Sequence, residues 1–361
     1  MGSDGIKILD VSYKPVRIYL KKRFEIANEN YSYCDVTLVK ISAQNCYGIG
    51  EAAPDESVTG ENIVTVKNSL SKFRATLIGR EVSDVPSIMH DLDKLVSGNN
   101  TAKAGIDIAL YDLLGKFKNK SVVSLLGGKG RSKETFITIG ISSAKQSMEE
   151  AVFYKEKGFK SLKIKVGLDS EKDETRLRRI REVVGENIKI VVDANQGYSV
   201  GDAIAFSRKI NDIGISFIEQ PIKANDITGL KKVREASDIP IMADESLKSI
   251  EDLRRMLRIG AVDLINIKLM KSGGISKCAE IAELAEENGI GVMIGCMDET
   301  KVGVAAGMHF ALTYENVGTV DLDSHLTHRN EVTYGGVSTS DGKNTIYKSK
   351  GLGLRLKRGI L

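Results

Sequence analysis

Tryptophan is absent from this chain of 361 residues, and cysteine and histidine are scarce, with four of each. The cysteines form no Cys-x-x-Cys pair, which disfavours a structural zinc site, and a disulfide scaffold is not expected in a chain this long. A sugar-binding cleft commonly uses tryptophan for stacking, so carbohydrate chemistry is disfavoured as well. These shortages indicate a reducing, cytoplasmic location and a site built from other side chains.

The chain also lacks a large net charge and any long apolar run. Its 52 basic and 48 acidic residues leave a net charge of +4, spread along the sequence, which gives no support for binding to nucleic acid or membranes. No segment reaches transmembrane length, and the first residues do not read as a secretory signal or, with Ile6 in place of Ser or Thr, as a myristoylation site. Hydrophobic residues make up 42%, enough for a large globular core.

The pattern of the chain changes along its length, and the main boundary lies near residue 130. Residues 6 to 55 alternate as strands do, with the polar piece Lys21–Asn30 interpreted as a loop, and three helical segments follow up to residue 117. From residue 133 strands and helices alternate, and eight strand signals in one direction predict a closed parallel (β/α) barrel. We therefore predict an α+β domain over residues 1–128, a barrel over 129–330 and a segment over 331–361 that returns to the first domain.

The barrel strands end in polar residues, from the second strand onward. Successive members of this series are 24 to 28 residues apart, which is about one strand-helix unit, so they occupy equivalent positions at the mouth where barrel enzymes have their active sites. Strands often end in polar residues as they reach solvent, and this explains any one member but not the order of the whole set. The series is Lys165, Asp193, Glu219, Asp244, Lys268, Cys296 and Asp321.

Three acids from adjacent strands, Asp193, Glu219 and Asp244, are expected to converge at this mouth. Bare carboxylates would repel one another, and a hard divalent cation removes the repulsion. Mg²⁺ prefers oxygen ligands, whereas softer metals would favour His or Cys, which are missing nearby. A glycosidase pair formed by Glu219 and Asp244 is the alternative, but it leaves the lysines unexplained.

Two lysines flank the acids, Lys165 on the strand before them and Lys268 on the strand after them. Bases on opposite faces of a carbon acid can invert it, one removing the proton and the other returning it. Lys163 lies two residues from Lys165, so both should point the same way and lower each other's pKa. Lys163 is therefore expected to be a catalytic residue that tunes Lys165 and helps to neutralise the substrate carboxylate. A solvated Lys-x-Lys on an exposed strand explains that tripeptide when it is taken alone.

These motifs, taken together, resemble those of the enolase superfamily, in its muconate-lactonizing subgroup. The resemblance covers nearly the whole chain and implies an α/β fold, a modified TIM barrel of the (β/α)7β type, with an α+β N-terminal capping domain. It also implies one Mg²⁺ per subunit, catalytic Lys165 and Lys268, and Asn195 and Glu245 as supporting residues. The matching motifs are Lys163-x-Lys165, Asp193-x-Asn195, Glu219-Gln-Pro221, Ala243-Asp244-Glu245-Ser246, Asn266-x-Lys268 and Gly48-Ile-Gly-Glu-Ala-Ala-Pro.

Asp321-Leu-Asp323 resembles the Asp-x-Asp with which dipeptide epimerases of this subgroup hold the substrate's α-ammonium group. The resemblance implies an isomerase that inverts the α-carbon of the C-terminal residue of a dipeptide by two-base 1,1-proton transfer through an enediolate. Thr138 and the segment Cys296-Met297-Asp298 would contact the dipeptide. Another enzyme of the subgroup (an o-succinylbenzoate synthase, a cycloisomerase or an N-acylamino acid racemase) is the alternative.

The second residue of the dipeptide is less determined. The resemblance makes L-Ala-D/L-Glu from cell-wall peptide the default substrate, bound through an arginine of the capping loop. Here Glu29 stands at that position and Asp298 where such enzymes are often apolar, which favours a cationic second residue or broad specificity. Lys22 and Arg23 are close in sequence and could restore a positive charge. Whether the chain forms homo-oligomers stays open.

Overall fold

The structure, a computed structural model, describes residues 5–27 and 29–361. The first part of the chain forms a three-stranded antiparallel sheet in the order β1-β2-β3, and helices cover one of its faces. Its elements are β1 (Asp10–Glu25), β2 (Asn30–Ala43), β3 (Cys46–Ala52), α1 (Glu56–Thr59), α2 (Ile63–Leu77), α3 (Val85–Leu95), α4 (Asn100–Phe117) and α5 (Val122–Leu125).

Helix α4 lies directly on β3 because two glycines of that strand remove the side chains between them. A Cβ atom at Gly48 would lie 2.0 Å from the carbonyl oxygen of Ala109, and one at Gly50 would lie 1.9 Å from that of Gly105. Contact this close is available only to glycine. The glycines of the Gly48 motif therefore have a packing function.

Seven parallel strands form the second part, in the order β11-β10-β9-β8-β7-β6-β5, with helices between them. A short antiparallel strand, β4 (Ser132–Glu134), precedes them. The elements are β5 (Ile137–Ile139), α6 (Ala144–Glu156), β6 (Ser161–Lys165), α7 (Ser170–Val184), β7 (Lys189–Asp193), α8 (Val200–Lys209), β8 (Ile215–Glu219), α9 (Ile227–Ala236), β9 (Ile241–Ala243), α10 (Ile250–Ile259), β10 (Leu264–Lys268), α11 (Leu269–Ser272), α12 (Ile275–Glu287), β11 (Gly291–Gly295) and α13 (Lys301–Ala311).

The barrel is closed by residues 317–321, but not by a full eighth strand as the sequence predicted. Val317 and Asp321 make isolated bridges to Val292 and Gly295 of β11, and Val320 makes one to Thr135 just before β5. The backbone N–H of Phe136 donates to Val320 at 2.8 Å, so a few bonds on each side join the two edges of the sheet. The α/β barrel fold with an N-terminal α+β part is thus confirmed.

Two buried carboxylates attach the N-terminal part to the barrel by capping barrel helices. Glu51 of β3 accepts hydrogen bonds from the backbone N–H groups of Thr300 (2.8 Å) and Gly303 (3.1 Å) at the start of α13. Asp107 of α4 accepts one from the Ser276 hydroxyl at 2.5 Å, at the start of α12. An acid at a helix N-terminus satisfies free N–H groups and faces the positive end of the helix dipole.

The polar piece Lys21–Asn30 is not the loop that the sequence predicted. Strand β1 continues to Glu25 and β2 begins at Asn30, these two residues pair, and the register is irregular between Tyr19 and Phe24. The side chains of Lys21, Lys22 and Arg23 are exposed, and these residues lie within the register irregularity, next to the bridge between Leu20 and His328. Contacts of the hairpin with the barrel loops, such as the bond from Ile141 N–H to the Glu25 carbonyl at 2.9 Å, bring the end of β1 to the barrel mouth.

The last residues form small antiparallel pairs. β12 pairs with β15, and β13-β14-β4 form a sheet at the start of the barrel. Leu352 donates its backbone N–H to Asp112 of α4 at 2.8 Å, so this segment contacts both parts of the molecule. The elements are α14 (Ser324–Thr327), β12 (Thr333–Gly335), β13 (Val337–Ser340), β14 (Lys343–Ile346) and β15 (Leu354–Leu356).

None of the helices that the structure describes has the length and apolar character to cross a bilayer.

Because His309 of α13 is buried, we expect the folded protein to lose stability in mild acid. Its Nδ1 accepts a hydrogen bond from Val123 N–H at 3.0 Å, and burial lowers the pKa of His309 to about 4. The unfolded chain, in which a histidine has a pKa near 6.5, binds more protons below that pH, so the free energy of unfolding falls as pH drops from about 6.5 towards 4. We expect this histidine to cost about 2 kcal/mol between pH 7 and pH 5.

Urea unfolding of the native protein and of His309→Gln at both pH values measures this cost. The glutamine oxygen can accept the same hydrogen bond but does not titrate. The decrease in unfolding free energy should be smaller in the variant by that amount, and an equal decrease in both proteins would contradict the assignment.

Candidate active site

The barrel places the predicted polar residues at one mouth. Lys165, Asp193 and Glu219 are direct partners in the register of adjacent strands β6, β7 and β8, so their side chains stand side by side. Asp244 follows β9, and Lys268 ends β10. Parallel strands in register bring equivalent positions to the same level, which is why a sequence repeat becomes a cluster in space.

The three acids form a compact oxygen-rich group. One carboxylate oxygen from each of Asp193, Glu219 and Asp244 lies within 4.8 Å of the others, and all three residues are buried. Glu219 Oε2 and Asp244 Oδ2 accept no well-directed hydrogen bond from any described residue, although lysine Nζ atoms lie 2.9 and 2.8 Å away. Oxygen donors held together in this way, with two of them lacking such a bond, fit Mg²⁺, as the sequence predicted.

The electrostatics of the three acids differ. Burial and the negative charge of Asp193 raise the pKa of Glu219 to about 8. Burial also opposes ionisation of Asp193, but the charges of Lys163 and Lys165 lower its pKa to about 2. Although Asp244 is buried too, Lys268 and Lys271 hold its pKa well below the usual range. Lysines already balance two of the acids, and a cation at the cluster would favour the ionised form of the third.

Lys163 and Lys165 point to the same side of β6, as their spacing predicted, but they differ in surroundings. The Nζ of Lys163 lies 2.9 Å from both Asp193 and Glu219 and 2.8 Å from Asp321. Burial lowers the pKa of Lys163, yet these carboxylates hold it well above the usual range. The predicted mutual lowering is therefore wrong for Lys163, because carboxylates lie closer to it than the sequence could indicate.

Lys165 and Lys268 occupy opposite walls of the mouth, since β6 and β10 are separated by three strands on one side. Lys165 donates to Asp193 at 2.7 Å and to Asn195 at 2.8 Å. Asn195 in turn donates to Glu245 at 3.3 Å, so the two predicted supporting residues connect to the lysine. Lys268 lies 2.8 Å from Asp244, and the charge of that acid outweighs burial and raises the pKa of Lys268.

Asp321 and Asp323 lie on a third side of the mouth. The Oδ2 of Asp323 accepts a bond from the backbone N–H of Thr138 at 2.7 Å, and burial together with Asp321 raises the pKa of Asp323 to about 6. Asp321 is only 5% exposed, and its Oδ1 has no hydrogen-bond partner among the described residues. A buried acceptor without a donor suits a cationic group of a ligand.

A cavity connects the three lysines with Asp321 and Asp323, while the acids of the cluster lie outside its lining. Its barrel wall contains all the predicted substrate contacts, and the β1–β2 hairpin and the start of α1 cover it. Lys22 and Arg23 do not line it: Lys22 pairs with Glu150 and Arg23 contacts Asn30, both at a neighbouring depression. The lining includes Thr138, Lys163, Lys165, Asn195, Glu245, Lys268, Cys296, Met297, Asp298, Asp321 and Asp323 from the barrel, and Leu20, Phe24, Ile26, Tyr31, Asp55, Ser57 and Val58 from the cover.

Several residues of the site were missed by the sequence reasoning. Buried Lys271 contacts Asp244 and donates to the Asn266 carbonyl at 3.0 Å, while Asn266 donates to Glu219 at 2.8 Å. Asn266 was recognised in the Asn266-x-Lys268 motif but was given no role, although it lies two residues before Lys268 on the same strand face. Tyr31 and Asp55 had no signal, because they reach the site only through packing of the cover.

Family models match both parts of the chain. Residues 146–360 match the enolase C-terminal domain-like family, and residues 9–127 match the N-terminal domain of mandelate racemase and muconate lactonizing enzyme. The two matches divide the chain between the barrel and the sheet-and-helix cover.

Three relatives illustrate the similarity. The L-Ala-D/L-Glu epimerase of Bacillus subtilis is 35% identical over 97% of both chains, and its substrate-liganded structure superposes with a TM-score of 0.94 over 96% of this chain and 98% of that one. The hydrophobic dipeptide epimerase of Enterococcus faecalis is 37% identical over 92% of this chain and 95% of its own, and a structure of the dipeptide epimerase from that organism with Mg and L-Leu-L-Tyr has a TM-score of 0.94 over 96% and 99%.

The third relative is the L-Lys-D/L-Arg epimerase of Methylococcus capsulatus, which is 33% identical over 97% of this chain and 99% of its own. A structure of the dipeptide epimerase from that organism with Mg and L-Arg-D-Lys has a TM-score of 0.91 over 96% and 99%. With both family models matched and the relatives similar over nearly their full lengths, the chain belongs to the mandelate racemase and muconate lactonizing enzyme family of the enolase superfamily, alongside its dipeptide epimerases.

Proposed function

We propose that this chain epimerises dipeptides at the α-carbon of the C-terminal residue by a two-base proton transfer between Lys165 and Lys268. The observation that carries the proposal is the position of these lysines on opposite walls of one mouth, each within 2.8 Å of a different acid of the cluster. A carbon held between them exposes its proton to one base and its opposite face to the other.

The substrate carboxylate belongs at the acid cluster, beside the Nζ of Lys163. A Mg²⁺ ion held by Asp193, Glu219 and Asp244 would act as a Lewis acid that stabilises negative charge on that carboxylate. Lys165 removes the α-proton from one face, and Lys268 donates a proton to the other face. In the reverse direction the two lysines exchange roles, so both epimers react at one site. Asn195 and Asp193 hold the Lys165 amine by two hydrogen bonds.

The ammonium group of the N-terminal residue belongs at Asp321 and Asp323. This supports a dipeptide over the substrates of lactonizing or eliminating enzymes, which carry no ammonium group. L-Ala-D/L-Glu and dipeptides with other second residues share the α-carbon and the ammonium group that these side chains would handle. Which of these dipeptides is preferred depends on how the cavity accommodates the side chain of the second residue.

Replacing Asp323 by asparagine is expected to lower kcat/KM for a dipeptide by roughly 10- to 100-fold, mainly through KM, because a charge-assisted hydrogen bond contributes about 1.5–3 kcal/mol. Initial rates of epimerisation measure the effect. The matched control is the same dipeptide with an acetylated N-terminus, on which native enzyme and variant should be equally slow. Unchanged kcat/KM for the free dipeptide would favour another reaction of the subgroup.

A further inference from the structure

The substituents of the reacting carbon leave one direction for the side chain of the second residue. In the proposed mechanism, the proton of this carbon lies between Lys165 and Lys268, and the carboxylate bonded to it lies at the acid cluster. The amide nitrogen bonded to it leads towards Asp321 and Asp323. The fourth substituent must point to the remaining wall of the cavity, which the β1–β2 hairpin, α1 and the loop after β11 build. The chemistry of that wall decides which side chain is accepted.

This wall has an apolar part and an acidic end. Leu20, Phe24 and Ile26 from the hairpin supply apolar surface, and Asp298 and Asp55 stand beyond it. The Tyr31 hydroxyl is hydrogen-bonded to Asp298 and fixes that carboxylate. Burial and the charge of Asp55 raise the pKa of Asp298 to about 6, although Tyr31, Lys165 and Lys268 oppose the rise, so at neutral pH this carboxylate is ionised.

The acidic end continues into an outer depression that shares Tyr31, Asp55 and Asp298 with the cavity. Glu29, at the position where the resemblance led us to expect an arginine, lies here. No lysine or arginine is among the described residues that line the depression. Its five acids are Glu29, Asp35, Asp55, Glu56 and Asp298.

The nearby basic side chains are committed elsewhere. Lys22 pairs with Glu150, Lys21 donates to the Leu326 carbonyl at 2.8 Å, and Arg23 contacts Asn30. All three line the neighbouring depression on the other side of the hairpin. Arg17 pairs with Asp35 at 2.8 Å but does not line the acidic depression. A glutamate side chain that reaches the outer depression would therefore meet carboxylates and no basic side chain among the described residues that line it, whereas Lys165 and Lys268 of the cavity are assigned to the reacting carbon.

We propose that this site selects dipeptides whose C-terminal residue is lysine or arginine, with Asp298 and Asp55 recognising the cationic end of its side chain. The inference rests on the proposed function, since the side chain is placed by the two-base geometry. The methylene stem of such a residue matches Leu20, Phe24 and Ile26, and the charged end reaches the acids. Like charges placed together cost several kcal/mol, so L-Ala-L-Glu should have a kcat/KM at least about 100-fold below that of L-Ala-L-Lys.

The experiment follows α-proton exchange in D2O by NMR with the Mg²⁺-loaded full chain. The substrates are L-Ala-L-Lys, L-Ala-L-Arg, L-Ala-L-Gln, L-Ala-L-Leu and L-Ala-L-Glu. We expect the two cationic dipeptides to be fastest and the glutamate dipeptide slowest. The preference for lysine over glutamate should shrink as ionic strength rises, because salt screens the partly exposed acids.

Two variants test the assigned residue. Asp298→Asn should reduce the ratio of the lysine to the glutamate dipeptide by roughly 10-fold or more, since one charge of the pair is lost. Glu149→Gln removes an acid that lines only the neighbouring depression, and it should leave the ratio unchanged. Calorimetric binding of both dipeptides to Lys165→Ala gives the same comparison without turnover, and the salt series tests the inference even if Asp298→Asn does not fold.

The outcomes separate the two levels of inference. Exchange of L-Ala-L-Glu that equals or exceeds that of L-Ala-L-Lys overturns the cationic preference and leaves the epimerase proposal standing. An unchanged ratio in a folded Asp298→Asn protein overturns the role given to Asp298. If no dipeptide of any charge exchanges its α-proton, the proposed function itself fails, and this inference fails with it.

Discussion

Replacing Lys165 by alanine should sharply reduce epimerisation while one epimer of the dipeptide still exchanges its α-proton. Without the Lys165 amine, one face of the α-carbon has no base, whereas Lys268 remains on the opposite wall, 2.8 Å from Asp244. A positioned acid or base contributes typically 10²- to 10⁴-fold, so we expect epimerisation to fall by about 100- to 10,000-fold. Lys268→Ala should show the mirror-image pattern, with exchange confined to the other epimer.

Deuterium incorporation into each epimer, followed by NMR in D2O, distinguishes the two faces. Lys189→Ala is a suitable control, because Lys189 begins β7 at the end of the barrel away from Asp193. This variant should epimerise normally. If Lys165→Ala exchanged both epimers at the native rate, a single base or a different pair would be responsible, and the two-base assignment would be wrong.

Removal of divalent metal by EDTA is expected to reduce activity to background, and added Mg²⁺ should restore it. Without the cation, negative charge on the substrate carboxylate would be balanced mainly by Lys163, whose Nζ is already shared among three acids. Glu219→Gln and Asp244→Asn should each weaken Mg²⁺ binding, because the metal prefers charged oxygen ligands.

Titration calorimetry and thermal unfolding measure this binding independently of turnover. Mg²⁺ at a hundred times its Kd should stabilise the folded chain by about 2.7 kcal/mol, provided that the unfolded chain does not bind it. Asp212→Asn, at an exposed ion pair with Arg178, is the matched control and should bind Mg²⁺ normally. Full activity after EDTA treatment, with no heat of Mg²⁺ binding, would contradict the metal site.

The barrel strands and their polar ends were predictable because both depend on local repetition. A buried parallel strand is a short apolar run, and its last residue reaches the mouth whichever helix follows it. Lys165, Asp193 and Glu219 therefore appear in the sequence at the spacing of one strand-helix unit and in the structure as register partners. The closing segment was harder to predict, since residues 317–321 are held by isolated bridges.

The interpretation of the hairpin failed for a physical reason. Lys21, Lys22 and Arg23 look like a loop by composition, yet strand β1 continues through them as an irregular stretch without register partners in β2. Leu20 makes a bridge to His328 at this place, so a segment distant in sequence supports the strand here. Electrostatics failed similarly at Lys163. The pKa of Lys163 depends on carboxylates from three other positions of the chain, whereas the spacing along the strand indicated only Lys165 as a charged neighbour.

The sequence by itself determined the family, the barrel, the acid cluster and the pair of lysines, because these follow from strand periodicity and from motifs spaced along the chain. Only the tertiary structure decided what covers the mouth. Tyr31 and Asp55 join Asp298 through docking of the hairpin and α1, and Lys22 and Arg23 turn away to other partners. Chemistry at strand ends is encoded locally, whereas the charge of the side-chain pocket arises from long-range packing between the two parts of the molecule.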